Sequence, residues 1–147
     1  MTYNIKSLKI TPFTSFHYRP GTLAGTREYG YHILTDSGKS LLFPVDVRDY
    51  NASKFPQFGK INYMFSHVWL GDKNALNLPC EPYTGMLAEF ICAFSPENAV
   101  LAHLYENGRR PDSMWSFVHA GLVTDALYAR NPHIKATAPR IGKIYNL

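Results

Sequence analysis

The sequence contains little of what several classes of protein require. It has only two cysteines, Cys80 and Cys92, and they form no CxxC pair, which argues against a disulfide scaffold and a zinc ribbon. No apolar run approaches the length of a membrane span. Residues 1–6 also lack the order of charged and then apolar residues that marks a signal peptide. We therefore expect a cytoplasmic protein with reduced thiols.

Concentrated charge is also scarce. Charged residues make up 18% of the chain, its formal net charge is +4, and its longest basic run is the pair Arg109-Arg110. Proteins that bind nucleic acid usually gather Lys and Arg on one surface. The composition therefore argues against nucleic acid and against a membrane as partners.

What the sequence does contain is apolar and aromatic residues. Hydrophobic residues account for 46% and aromatic residues for 14% of the 147 positions, which is typical of a folded globular protein. A chain of this length buries a sizeable core and forms one domain. We expect that domain to span residues 1–147.

Hydrophobic patterns predict strands that alternate with helices. Two β-rich runs around an Asp-Ser-Gly turn predict a hairpin, and Pro and Gly end several other elements. In the first half of the chain, the predicted elements are an opening strand over residues 5–13, hairpin strands over 29–35 and 40–44, and a buried strand covered on both faces over 60–71. They are followed by a short helical turn over 72–78, a helix over 84–94, a buried strand over 98–106, a second helix, and a closing strand or hairpin over 134–145. The second helix is capped by Asp112 or Ser113 and has an apolar stripe of Trp115, Val118, Leu122 and Ala126. This order predicts an α/β fold, a mixed β-sheet layer with packed helices.

One acidic residue stands out at a predicted strand end. Apolar residues 41–44 read as a buried strand that leads almost directly into Asp46. Open α/β layers place their chemistry at such strand ends. The alternative is that Asp46 only caps the loop that follows.

Three histidines follow the same pattern of strand ends and loops. His17 lies in a loop rich in Pro and Gly, His67 near the exit of one strand, and His103 within another. Imidazole nitrogens together with the carboxylate of Asp46 are ligands that zinc and similar divalent ions accept. The alternatives are a hydrogen-bonded core histidine at position 103, an ordinary loop residue at position 17, and packing beside Trp69 for His67.

The other histidines read as structural. His119 lies next to the apolar stripe of the second predicted helix, so we expect it in the core or at an interface. His32 and His133 are assigned no chemical role.

Several of these segments together resemble a known family. Residues 30–46 resemble the hairpin that opens the second half of the metallo-β-lactamase-fold hydrolases, in which the final aspartate bridges two metal ions. Residues 61–67 resemble that family's next strand, and residues 100–104 resemble the strand that supplies the last metal-binding histidine. His17 falls where the family has the histidine that precedes the hairpin. The resemblance covers essentially the whole chain and implies one half of the αβ/βα metallo-β-lactamase sandwich, the C-terminal one.

The family's signature HxHxDH does not occur in the sequence. That motif holds most ligands of the first metal, so the resemblance implies a truncated or half-site member. The metal ligands that it carries over are His17, Asp46 and His103, with Asp46 bridging and each histidine ligating one ion. The implied cofactor is a divalent metal, zinc or else Mn or Fe, in an incomplete site.

The resemblance also implies an activity. In this family a metal-activated water attacks an ester, amide or phosphodiester, which implies a metal-dependent hydrolase of a small-molecule substrate. Asp46 and His67 are the predicted catalytic residues, and Arg48 and Asp49 are further candidates for orienting the substrate. A complementary half or a homo-oligomer partner would complete the site. The alternative is a non-catalytic binding or assembly module derived from the same fold.

Overall fold

The computed structural model describes residues 1–17 and 27–145. Within these residues, seven strands form one sheet in the order β1 to β7, and two α-helices and two 3₁₀ turns lie between strands. The elements are β1 (Tyr3–Ile5), β2 (Leu8–Phe16), β3 (Arg27–Thr35), β4 (Ser40–Val45), a 3₁₀ turn (Ala52–Lys54), β5 (Tyr63–His67), α1 (Tyr83–Phe94), β6 (Asn98–Ala102), a 3₁₀ turn (Pro111–Ser113), α2 (Phe117–Arg130) and β7 (Lys135–Thr137).

The sheet has an antiparallel part and a parallel part. Strands β1 to β4 pair antiparallel with their neighbours, and β4 to β7 pair parallel. The predicted hairpin is present as β3 and β4, and its turn contains Gly38 at a φ of 78°, which glycine adopts without steric cost. The predicted α/β class with helices on a mixed sheet is therefore confirmed.

Both helices pack on one face of the sheet. Along β4, β5 and β6, buried residues alternate with partly exposed ones, as expected when one face of each strand points into a core. Leu42, Met64 and Leu101 on that face join a core that includes Leu87 of α1 and Leu127 of α2. The two helices also contact each other.

The opposite face is more open than the sequence predicts. Tyr63 and Phe65 of β5 are only partly buried, whereas β5 was predicted to be covered on both faces. The ring of Phe65 stacks on that of Phe43, with centroids 4.3 Å apart. Aromatic side chains therefore make the open face of β5 apolar, although the described helices cover only the opposite face.

Two other predicted elements differ in the structure. The opening segment forms two strands joined by a turn at Lys6, whose φ of 51° breaks the strand. Residues 72–78 form turns without a helix. At the end of the described chain, β7 is a single strand and residues 140–145 add no second one.

The second helix begins later than predicted. Asp112 and Ser113 belong to the preceding 3₁₀ turn, which starts at a proline, and Ser116 caps α2 instead. The backbone N–H of Ser116 donates to Nδ1 of His119 over 3.0 Å. His119 is buried, as the sequence predicts. The buried face of the helix therefore lies one residue further along than the predicted stripe and consists of His119, Ala120, Val123 and Leu127.

Neither described helix has the length and apolar character needed to cross a membrane.

Candidate metal centre

Three polar side chains come from the carboxyl ends of neighbouring strands. Asp46 follows the last residue of β4, His67 is the last residue of β5, and His103 follows the last residue of β6. Since these strands are adjacent and parallel, their carboxyl ends meet at one edge of the sheet. The topology thus brings together residues that lie far apart in sequence.

The backbone beside this site adopts conformations that L-residues rarely occupy. The φ angle is 61° at Val45 and 65° at His103, and for a β-branched residue such a φ costs on the order of 1–3 kcal/mol. The N–H of Val47 donates to the carbonyl of Val45 over 3.0 Å, which closes a tight turn around Asp46. Strained backbone of this kind is concentrated at functional sites.

The spacing of the three side chains suits a metal ion. The Oδ1 atom of Asp46 lies 3.8 Å from Nδ1 of His67 and 3.7 Å from Nδ1 of His103. One ligand atom from each side chain lies within 4.8 Å of the others. These separations are too long for good hydrogen bonds. They approach the roughly 3.4 Å that separates two ligand atoms at a tetrahedral zinc ion with bonds of about 2.1 Å.

A third histidine faces the other oxygen of the same carboxylate. Nε2 of His17 lies 3.4 Å from Oδ2 of Asp46, and its Nδ1 lies 3.4 Å from Oε1 of Glu28. The carbonyl of Phe16 accepts hydrogen bonds from the N–H groups of Arg48 and Asp49, which ties the end of β2 to the loop after Asp46. The Asp46 carboxylate therefore has imidazoles on both sides, as a bridging ligand would.

Two of the imidazole nitrogens are buried without a hydrogen bond. They are Nε2 of His17 and Nδ1 of His67, and both face the Asp46 carboxylate. A buried polar atom without a partner costs about 1–3 kcal/mol. A cation bound between these groups would satisfy them, so the donor set fits a divalent metal ion.

A carboxylate and a guanidinium orient His103. Nε2 of His103 lies 2.9 Å from Oε2 of Glu106, and Nε of Arg109 donates to the same oxygen over 2.6 Å. This contact occupies one ring nitrogen and leaves Nδ1 to face Asp46. Histidine ligands in metal sites are commonly oriented in this way by a carboxylate.

The imidazoles also stabilise the charge on Asp46. Burial alone would raise the pKa of its carboxyl group, but the nearby imidazoles of His67, His103 and His17 outweigh burial and lower that pKa below its usual value. The Asp46 side chain is therefore held as a carboxylate, the form that binds metal.

The structure places all four predicted site residues in one cluster. The three whose ligand atoms lie closest together are Asp46, His67 and His103, whereas the sequence named His17 rather than His67 as a ligand. The ring of His67 lies 4.7 Å from that of His103. The ligand and catalytic roles of these residues stay predictions.

Sequence reasoning missed Glu28 and Glu106. The signal for Glu106 was present in its spacing, since a carboxylate three residues after His103 can turn back onto the ring. Glu28 carries no such signal, because only the pairing of β2 with β3 brings it to the end of β2 near His17.

The remaining candidates have other contacts. His32 forms a hydrogen bond with Ser40 over 2.8 Å, and burial lowers its pKa. Nε2 of His119 lies 2.9 Å from the carbonyl oxygen of Ala75, and His133 is exposed. Asp49, a candidate for orienting the substrate, forms an ion pair with Lys54.

Comparison with known proteins finds similarity in the fold but none in the sequence families. No protein-family model matches the sequence, and no curated protein matches it. Among solved structures, the metallo-β-lactamase-fold protein YhfI from Bacillus subtilis matches with a TM-score of 0.53 and 13% identity, over 94% of this chain and 50% of that one. The chain has a partial metallo-β-lactamase-like fold.

Two further structures match over most of the chain. A protein from Thermotoga maritima, assigned to the Zn-dependent hydrolases of the metallo-β-lactamase superfamily, has a TM-score of 0.51 and 10% identity over 83% of this chain and 55% of that one. A variant of the CmlA β-hydroxylase has a TM-score of 0.60 and 12% identity over 93% of this chain and 31% of that one. The predicted resemblance to half of the metallo-β-lactamase sandwich is confirmed, since the chain spans 31–55% of these three structures.

Within this metallo-β-lactamase-like fold, replacement of Glu106 tests how His103 is oriented. We expect Glu106→Gln to lower the affinity for zinc about 10–100-fold, because the amide is a poorer acceptor for the His103 ring. Titration against a chromophoric chelator measures that affinity. Glu89→Gln is the matched control, since Glu89 pairs with Arg130 on the helices and its replacement should leave zinc binding unchanged. Equal affinities for the two variants would show that Glu106 does not position the ring.

Proposed function

We propose that the chain is a metal-dependent hydrolase with the metallo-β-lactamase fold. The observation that carries the proposal is the group of one carboxylate and two imidazoles within 4.8 Å at the carboxyl ends of β4, β5 and β6. Two imidazole nitrogens and one carboxylate oxygen form a donor set that zinc accepts with one position open, and Mn or Fe also accept it. The fold of the neighbours supports the same reading.

The geometry suggests a division of roles among the four residues. His67 and His103 share Oδ1 of Asp46, and His17 faces its Oδ2. Under the proposal, the first two histidines and Asp46 hold one ion, and His17 contributes to a second position across the carboxylate. His67 is then a ligand rather than a residue that orients the substrate.

The proposed reaction is hydrolysis of an ester, amide or phosphodiester. A divalent ion in such a site supplies an activated water at neutral pH. Water adds at the acyl or phosphoryl centre, the bond to the leaving group breaks, and the leaving group departs with a proton. Since the chain spans about half of two of its neighbours, the proposal includes further residues from a complementary half or a second copy.

Hydrolysis of chromogenic substrates tests the proposal. We expect the zinc-loaded chain to release p-nitrophenolate from p-nitrophenyl acetate or bis(p-nitrophenyl) phosphate at least about tenfold faster than the same protein in EDTA, since general metal activation is worth several kcal/mol. Asp46→Ala should fall to the rate without metal, whereas the exposed His133→Ala should match the unmodified chain. Equal zinc-dependent rates in all three proteins would refute the assignment.

The open face of the sheet favours a second candidate, an assembly module. Tyr63, Phe65 and Val100 contribute to a cavity of about 320 Å³ on that face, and exposed apolar surface of this kind often marks a protein interface. Under this alternative the face binds a second copy of the chain. The same preparations would then show no zinc-dependent rate and would sediment as a dimer, which Phe65→Glu would dissociate. A monomer with stoichiometric zinc would exclude it.

A further inference from the structure

A recess lies beside the candidate metal centre. Its volume is about 220 Å³, and it is formed by the loop after β5 and the segment that leads into α2. The side chains that line it include two tryptophans, two cations, a carboxylate and a hydroxyl, namely Trp69, Trp115, Lys73, Arg109, Asp72 and Ser113. The proposed function does not use this recess.

Hydrogen bonds connect the recess to the metal centre. Arg109 on its wall donates to Oε2 of Glu106 over 2.6 Å, and that same oxygen lies 2.9 Å from Nε2 of His103. Only one carboxylate therefore separates a guanidinium of the recess from a proposed metal ligand.

The aromatic walls are fixed in place. Trp69 is 6% exposed and Trp115 is 5% exposed, so both rings are packed into the core. The Tyr50 hydroxyl donates to the carbonyl of Trp69 over 2.6 Å, and the Tyr105 N–H donates to the carbonyl of Trp115 over 2.8 Å. The recess is thus preformed, as binding sites usually are.

Positive charge outweighs negative charge around the recess. Lys73 is exposed and forms no ion pair within residues 1–17 and 27–145. The guanidinium of Arg48 lies 5.4 Å from the centroid of Trp69 and 3.9 Å from the carboxylate of Asp72, so it offsets that negative charge. Arg109 offsets Glu106, and the charge of Lys73 remains. The recess therefore attracts an anionic group.

We propose that this recess binds an oxyanion group of the substrate, a phosphate or a carboxylate. Sites that enclose a whole small molecule usually measure about 300–1,000 Å³, so a recess of about 220 Å³ suits one end of a larger molecule. The scissile bond of that molecule would lie at the metal centre. The assignment to a substrate rests on the proposed function, whereas binding of the anion itself does not require metal.

Anion binding to metal-free protein tests the proposal. Inorganic phosphate and acetate are titrated into EDTA-treated chain, and affinity is obtained from the change in tryptophan fluorescence, since two tryptophans line the recess. We expect Lys73→Gln to weaken phosphate binding about two- to fivefold, because one exposed ion pair contributes up to about 1 kcal/mol. Lys135→Gln is the matched control, because Lys135 is exposed at the start of β7, which pairs with the start of β6 rather than its site end. Arg109→Gln provides a second variant of the recess.

Comparison of phosphate with acetate shows whether the negatively charged group of the substrate is a phosphate or a carboxylate. Tighter binding of phosphate indicates a phosphorylated substrate, and equal or tighter binding of acetate indicates a carboxylate. The proposal is overturned if neither anion binds, or if Lys73→Gln and Arg109→Gln both bind as tightly as Lys135→Gln. Asp46→Ala should keep anion binding while losing zinc, so failure of the recess and failure of the metal site give different results.

Discussion

Zinc is expected to raise the melting temperature of this chain by about 5–10 °C, and replacement of Asp46 is expected to abolish that increase. At a free zinc concentration of about 100 times Kd, binding stabilises the folded state by about 2.7 kcal/mol. In a domain of this size each kcal/mol corresponds to about 2–4 °C. Asp46→Ala removes the carboxylate that faces all three imidazoles, so the variant has no shared ligand. Differential scanning fluorimetry with and without zinc measures the shift.

A histidine variant of the same site should behave alike. His103 has a φ of 65°, and Asn tolerates this conformation better than Ala does, so His103→Asn removes the imidazole with the least change of backbone. His133→Ala controls for zinc bound at exposed histidines, since His133 lies on the surface. Survival of the full shift in both Asp46→Ala and His103→Asn would rule out the metal centre.

Phe90→Ala is expected to lower the free energy of unfolding by about 3–5 kcal/mol, the usual cost of truncating a buried aromatic residue. Phe90 is 1% exposed, and its ring centroid lies 5.5 Å from that of Tyr50, 5.3 Å from that of Phe55 and 5.1 Å from that of Phe94. The loss is large beside a total stability of about 5–15 kcal/mol. Urea denaturation measures it.

This core residue also supports the site. Tyr50, which Phe90 contacts, donates its hydroxyl hydrogen to the carbonyl of Trp69 and so joins the loop after Asp46 to the loop after His67. Tyr128→Ala is the control, because Tyr128 is 70% exposed on α2 and surface changes usually stay within about 0.5 kcal/mol. Similar losses in both variants would show that the aromatic cluster does not stabilise the fold in this way.

Local patterns were sufficient for some elements and not for others. The hairpin of β3 and β4 was predictable because a turn with a glycine at positive φ joins two adjacent apolar runs. The start of α2 was not, because three positions compete to cap it. Ser116 is the cap because His119 turns back to its backbone and also reaches the carbonyl of Ala75, 44 residues away. A contact over that distance in sequence leaves no local pattern.

The sequence by itself determined which chemical groups are available for a functional site, namely a carboxylate at a strand end and histidines near other strand ends. It also determined the class of fold. Only the tertiary structure decided which of them meet. Parallel pairing of β4, β5 and β6 sets the ends of three strands side by side, and this makes His67 a neighbour of Asp46 and His103. Glu106 lies between His103 of the candidate metal centre and Arg109, which lines the recess. Distances across a sheet depend on strand order and register, and neither can be read from the spacing of residues along the chain.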